Sequence, residues 1–215
     1  MRRSPSTPAP EWLDIDCDAH ANVMHAGPLG VTIRPPPPNR ANLPRQRVLL
    51  TFSTTAMHGQ TALIDRVCEA VASLELEAVL TLGAAVGHDA VPVADNVEVM
   101  AYADHDRLMP GTAAVIGHGG LGTVLRGLAH GVPRLLLPLG RDQGFNAGRV
   151  EQLGAGIRLA PDAPLGRIRA AVRALLDDPR FTAAAARAAR HVAADEPDRT
   201  AAEALEHTAG RRPTH

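Results

Sequence analysis

Aromatic residues are nearly absent from this chain. They make up 2% of its 215 residues, so a core must come from the aliphatic part of a composition that is 45% hydrophobic. Cysteine is scarce as well. Cys17 and Cys68 stand alone and far apart, which argues against a disulfide framework and makes a reducing cytoplasm the expected location. No sign of charge dominates: 22 Lys and Arg oppose 23 Asp and Glu, a formal charge of −1. Without a basic face, nucleic acid is not an expected partner. No apolar run is long enough to span a bilayer. The basic start Met1-Arg2-Arg3-Ser4 is not followed by the apolar segment of a signal peptide.

What is present is ordered in blocks. Residues 1–45 read as an irregular leader and Pro-rich linker, with Pro35 to Pro38 as a four-proline run that favours an extended rod. A domain is expected over residues 46–210. Val48–Phe52, Ala78–Leu82, Val97–Met100, Ala113–Ile116, Arg134–Leu137 and Gly156–Leu159 are short apolar runs that predict buried strands. Between them lie helical stripes. Leu63, Ile64, Val67, Cys68, Val71 and Leu74 share one face, and Cys68 is expected there as a small core residue. Leu121, Val124, Leu125 and Leu128 share another, with Gly131 as the stop. A helix is expected from Gln143 to Leu153. Three more are expected at the end: Leu165–Leu176, Phe181–Ala194 and Thr200–Thr208. Strands alternating with helices predict an α/β fold, a Rossmann-like doubly wound parallel sheet with helices on both faces and a helical C-terminus.

The chemistry gathers at Gly117-His118-Gly119-Gly120-Leu121-Gly122-Thr123, between a predicted strand and a predicted helix. Free N–H groups at a helix start, with the helix dipole behind them, make an anion site. Glycine lets the backbone approach phosphate oxygens closely. His118 can donate to a phosphate. Thr123 is expected to cap the helix and offer its hydroxyl to the same anion. The alternative is a tight turn whose glycines only allow strand and helix to pack.

The glycine turn is followed by Gly131-Val132-Pro133, Pro138, Asp142-Gln143, Asn146-Ala147-Gly148-Arg149-Val150 and Leu153-Gly154-Ala155-Gly156. Together these resemble the nucleotide-sugar-dependent glycosyltransferases of the GT-B fold. The resemblance is to the bacterial macrolide and antibiotic type, related to UDP-glucuronosyltransferases, and it is strongest from Asn96 to Leu159. It implies that His118, Gly119 and Gly120 meet the donor's β-phosphate, with Gly122 in the same turn. It implies that Thr123 meets the α-phosphate, and that Ser53 and Thr54, after the first strand, line the phosphate site. Asp142 and Gln143 would read the sugar hydroxyls. Tyr102, His105 and Arg126 would border the base and ribose. At two places the chain departs from the family pattern. Arg126 stands where many members have a ribose-binding Glu, and Asp104-His105 where many have Pro-Gln. Both lie on the nucleoside side and leave UDP and dTDP donors unseparated.

The segment from His20 to Gly30 resembles the family's connection between domains, so the chain reads as the donor-binding half alone. The implied reaction is an inverting transfer with neither metal nor cofactor. The general base is expected in a preceding acceptor-binding domain, and no catalytic residue is assigned here; His20 and His25 read as linker histidines. An acceptor-domain protein or a second copy of the chain is a candidate partner, and a non-catalytic nucleotide-sugar-binding module is the alternative function.

Two other readings carry less. Gly117, Gly119 and Gly122 fit the dinucleotide fingerprint, but that fingerprint follows the first strand of its domain, whereas three predicted strands precede the one that leads into these glycines. Asp14-Ile15-Asp16 and Asp104-His105-Asp106 match a carboxylate pair that could hold a divalent ion. Asp104 is instead expected to cap a short turn.

Overall fold

The computed structural model describes residues 46–83 and 94–194. The leader, with Asp14, Asp16, Cys17, His20 and His25, and the helix expected at 200–208 lie outside these residues. The chain order is β1 (Arg47–Thr51), α1 (Gln60–Ala72), β2 (Glu77–Thr81), β3 (Val97–Met100) and α2 (His105–Leu108), which runs into a 3-10 turn at Met109–Gly111. Then come β4 (Ala114–Gly117), α3 (Leu121–Ala129), β5 (Arg134–Leu136), α4 (Gln143–Gln152), β6 (Gly156–Arg158), α5 (Leu165–Asp177) and α6 (Pro179–Ala194). All six expected strands form, with ends displaced by at most one residue.

The strands make one sheet in the order β3-β2-β1-β4-β5-β6, and each neighbouring pair is parallel. Alternate side chains face opposite ways. Val48, Leu50, Leu80, Ile116 and Leu135 join one cluster with Leu63, Val67 and Val71 of α1 and Ile168 and Val172 of α5. On the other face, Leu49, Val79 and Val115 pack with Met109 and Val132. Leu136 packs there with Val124 and Leu128 of α3, Val150 of α4 and the alanines of α6. Each fully buried Leu or Ile contributes about 1.5–3 kcal/mol. The near absence of aromatics is met by close helix approach, as α6 presents Ala184, Ala185 and Ala188 to α3 and α4. Cys68 is 2% exposed, and burial followed by the charge of Asp65 pushes its thiol up to about 11.

β1 and β4 are neighbours, yet the chain leaves β1 toward β2 and leaves β4 toward β5. The connections therefore diverge at this pair. The crevice beyond its C-terminal ends is where such sheets hold ligands.

Candidate functional site

A cleft of about 340 Å³ opens in this crevice. Its floor is the end of β1 and the residues after it, Thr51 to Thr54. One wall is the β4–α3 turn, with His118, Gly120, Gly122 and Thr123. The opposite wall follows β3 and carries Tyr102, Asp104 and His105, and Arg126 of α3 closes the end.

The β4–α3 wall is mostly main chain. A Cβ on Gly117 would lie 2.1 Å from the Thr51 carbonyl oxygen, so only glycine lets β4 run flush beside β1 here. Gly119 has φ +92°, which turns the chain back toward α3 without strain. Gly120 is the N-cap of α3, and no side chain caps that end. Thr123 was expected to cap and does not, because the helix begins at Leu121 and Thr123 is already its third residue. Its side chain borders the cleft instead. The first N–H groups of α3 are thus not covered by a side-chain cap and can meet an anion.

His118 is only 6% exposed. Its Nε2 lies over Gly120, 2.7 Å from where a Cβ would stand, and its buried Nδ1 has no partner in hydrogen-bond geometry. Burial holds its pKa below the ordinary value, while the Thr51 backbone and Asp142 push weakly the other way. The ring is therefore neutral at pH 7, and a bound anion would favour its protonated form.

The floor is fixed by a small hydroxyl turn. Ser53 Oγ and Thr55 Oγ1 are 2.9 Å apart, and Ser53 Oγ accepts from the Thr55 N–H at 3.2 Å. Gln60 of α1 donates to the Ser53 carbonyl at 3.0 Å. Thr54 is exposed beside the turn.

The β3 side is built from side-chain charges. Asp104 caps α2 by accepting from the Asp106 N–H. Thr81 Oγ1 donates to the Leu50 carbonyl at 3.4 Å, leaving it to accept from His105 Nε2 at 3.2 Å. Burial and then Arg126 lower the pKa of His105, against the smaller effects of Asp106 and Asp104. Asp106 lies 3.2 Å from His130 Nε2 and 3.8 Å from Arg126 Nε. Both carboxylates of the Asp104/Asp106 pair are thus engaged by protein groups. Among the described residues no cluster of three or more His, Cys, Asp or Glu could hold a metal. Tyr102 is 85% exposed at the rim.

Asp142 and Gln143 stand behind the glycine turn rather than along the cleft. Gln143 Oε1 accepts from the Leu139 N–H at 2.8 Å, and its Nε2 meets Met57 Sδ at 3.1 Å. Asn146 links Asp142 to the turn, donating to Asp142 Oδ2 at 2.8 Å and to the Gly119 carbonyl at 3.0 Å. The expected site residues therefore fall into three groups: the nucleoside-side residues and the phosphate-side residues other than the buried Gly119 share one cleft, while Asp142 and Gln143 lie behind it across Gly119.

Sequence reasoning passed over Arg134 and the Asp106–His130 pair. Arg134 is a fully buried arginine in a central strand, in a position that reads as apolar from its neighbours. The available signal was Gly127 and Gly156, whose missing side chains make room for it.

The family model described as "Erythromycin biosynthesis protein CIII-like, C-terminal domain" matches residues 65–207. This chain belongs to that family. It is 37% identical over 171 residues to the TDP-daunosamine transferase DnrS of Streptomyces peucetius, covering 77% of this chain and 39% of that protein. It is 35% identical over 147 residues to the 3-alpha-mycarosylerythronolide B desosaminyl transferase of Saccharopolyspora erythraea, covering 66% and 35%. Among solved structures, the glycosyltransferase of kitacinnamycin superposes with a TM-score of 0.80 at 25% identity, over 95% of this chain and 54% of that one. The glycosyltransferase VinC, solved in complex with dTDP, gives 0.69 at 27% identity, over 92% and 50%. The fold is thus the Rossmann-like half of GT-B glycosyltransferases, and the chain spans well under half the length of these curated relatives. No helix among the described residues is long and apolar enough to cross a membrane.

Proposed function

We propose that this chain is the donor-binding half of an inverting, metal-independent glycosyltransferase that takes a UDP- or dTDP-sugar. The observation that carries the reading is the cleft itself. Uncapped α3 N–H groups, a buried histidine with an unpartnered nitrogen and a hydroxyl turn converge beyond the β1–β4 edge. The diphosphate would lie on Gly119, Gly120, Gly122 and His118, with Thr123, Ser53 and Thr54 beside it. The nucleoside would lie toward Tyr102, His105 and Arg126, and the sugar toward Asp142 and Gln143. Support also comes from the dTDP complex of VinC.

In this reading an acceptor oxygen attacks the anomeric carbon as the bond to the β-phosphate oxygen breaks. The electron pair leaves with the diphosphate, where α3 and His118 stabilise the charge. The acceptor's proton would go to a base on an acceptor-binding domain. With no such domain supplied, by this chain or by a partner protein or second copy, the same site would serve as a nucleotide-sugar-binding module.

Titration calorimetry with UDP and dTDP tests the site. Binding is expected in the parent chain and about tenfold weaker in His118→Ala, the worth of one hydrogen bond to a charged group. Equal binding by both proteins would remove His118 from the site, and no binding of either nucleotide would remove the reading.

A further inference from the structure

The described residues contain one charge with no counter-charge in an apolar setting. Arg134, in β5, is 0% exposed. Its Nη1 donates to the Thr123 carbonyl at 3.2 Å and the Val124 carbonyl at 2.6 Å, and its Nη2 to the Val132 carbonyl at 3.1 Å. Its Nε is buried and unpartnered. Burial alone pushes the guanidinium down to about 9, with no acidic group acting on it. It remains charged at pH 7. A Cβ on Gly127 would stand 2.1 Å from Nη2, so α3 is notched to admit the head group.

A buried cation without a carboxylate is costly unless something else uses its field. Helix α3 lies between this cation and the cleft. The guanidinium sits at the level of Gly127, seven residues beyond the N-cap Gly120. At 1.5 Å per residue that is roughly 10 Å along the axis. Its carbonyl partners belong to the first turn of α3, and Thr123 also borders the cleft. The charge adds to the helix dipole with the same sign at the anion end.

We propose that Arg134 is a positioning residue whose buried charge, set behind α3, strengthens the hold of the cleft on a diphosphate without touching it. This rests on the diphosphate reading above. A unit charge about 10 Å away at an effective dielectric near 20 is worth about tenfold in affinity per anionic charge. A solvent-exposed arginine at that distance would be largely screened, which is why burial matters.

The test compares UDP with uridine on the full chain by calorimetry. Arg134→Gln removes the charge but keeps a donor for the carbonyls, and Arg134→Lys, compared at the acid end of the folded range because burial lowers an ammonium as well, keeps a cation. The expected result is UDP affinity at least about tenfold lower in Arg134→Gln, one such factor for each anionic charge, uridine affinity unchanged, and UDP affinity retained in Arg134→Lys. Equal weakening of both ligands in Arg134→Gln, or no change in either, overturns the proposal and marks the residue as structural. Failure of the parent chain to bind UDP would instead overturn the diphosphate reading. Should Arg134→Gln not fold, NMR of the parent protein still decides. Exchange of the Arg134 guanidinium protons with water should slow when inorganic pyrophosphate binds, because a nearby anion disfavours their loss. Unchanged exchange in the pyrophosphate-bound protein overturns the proposal.

Discussion

The two walls of the cleft are made of different material. The β4–α3 wall is main chain, glycine and one buried neutral histidine, with little freedom to rearrange. The β3–α2 wall is a set of paired charges, Asp104 with Arg107 and Asp106 with Arg126 and His130, much of it open to solvent. A diphosphate has the same shape on every donor and can be held by a fixed backbone. Nucleosides differ, and side chains that pair with one another can be exchanged without disturbing the sheet.

The largest break in this contrast should come from the rigid wall. Gly117→Ala would press a methyl group against the Thr51 carbonyl, and about 3 kcal/mol of stability should disappear in urea unfolding. A smaller loss would mean that β4 can slide relative to β1.

Acidification should separate the walls by their histidines. His118 and His105 both have folded pKa values lowered chiefly by burial. The unfolded chain then binds protons more readily, so stability is highest above the unfolded value of about 6.5 and falls as pH drops through the folded values. Urea midpoints measured from pH 7.5 down to pH 5 should decline, and less steeply in His118→Ala. Pyrophosphate should reduce the decline in the parent protein by favouring protonated His118. A decline that pyrophosphate leaves unaltered would place the titrating group away from the anion.

Changes in the charged wall should be smaller. Asp106→Asn would weaken the links to Arg126 and His130 at a partly exposed carboxylate, a loss of about 1 kcal/mol in chemical denaturation. Tyr102→Ala should leave stability within about 0.5 kcal/mol, because its ring is exposed, yet weaken uridine in calorimetry. If pyrophosphate weakened equally, the assignment of Tyr102 to the nucleoside side would be wrong.

The sequence carried the rigid wall better than the charged one. Six apolar runs and the glycine turn are local signals, and β1 to β6 follow from them. Gly131, with φ 61°, ends α3 where the pattern placed a stop. The capping role expected of Thr123 failed because a hydroxyl near a helix start does not fix which residue comes first, and Gly120 took that position. Asp106 and His130 are 24 residues apart and meet only through the packing of α2 on α3. Arg134 was hidden by its strand neighbours, since nothing in Pro133-Arg134-Leu135 reveals that the carbonyls of a helix receive the guanidinium. The bonds of the Gln143 amide to Leu139 and Met57 are likewise tertiary contacts that no local pattern signals.

The buried thiol of Cys68 supplies a clock for motions of this domain. It lies on the α1 face of the core, with its pKa raised to about 11, so an alkylating reagent meets neither an accessible sulfur nor a thiolate. In a Cys17→Ser background, Cys68 is the chain's single cysteine, and its labelling rate would count openings of the α1 face. A nucleotide held beyond the C-terminal ends of the strands would register there as longer intervals between openings.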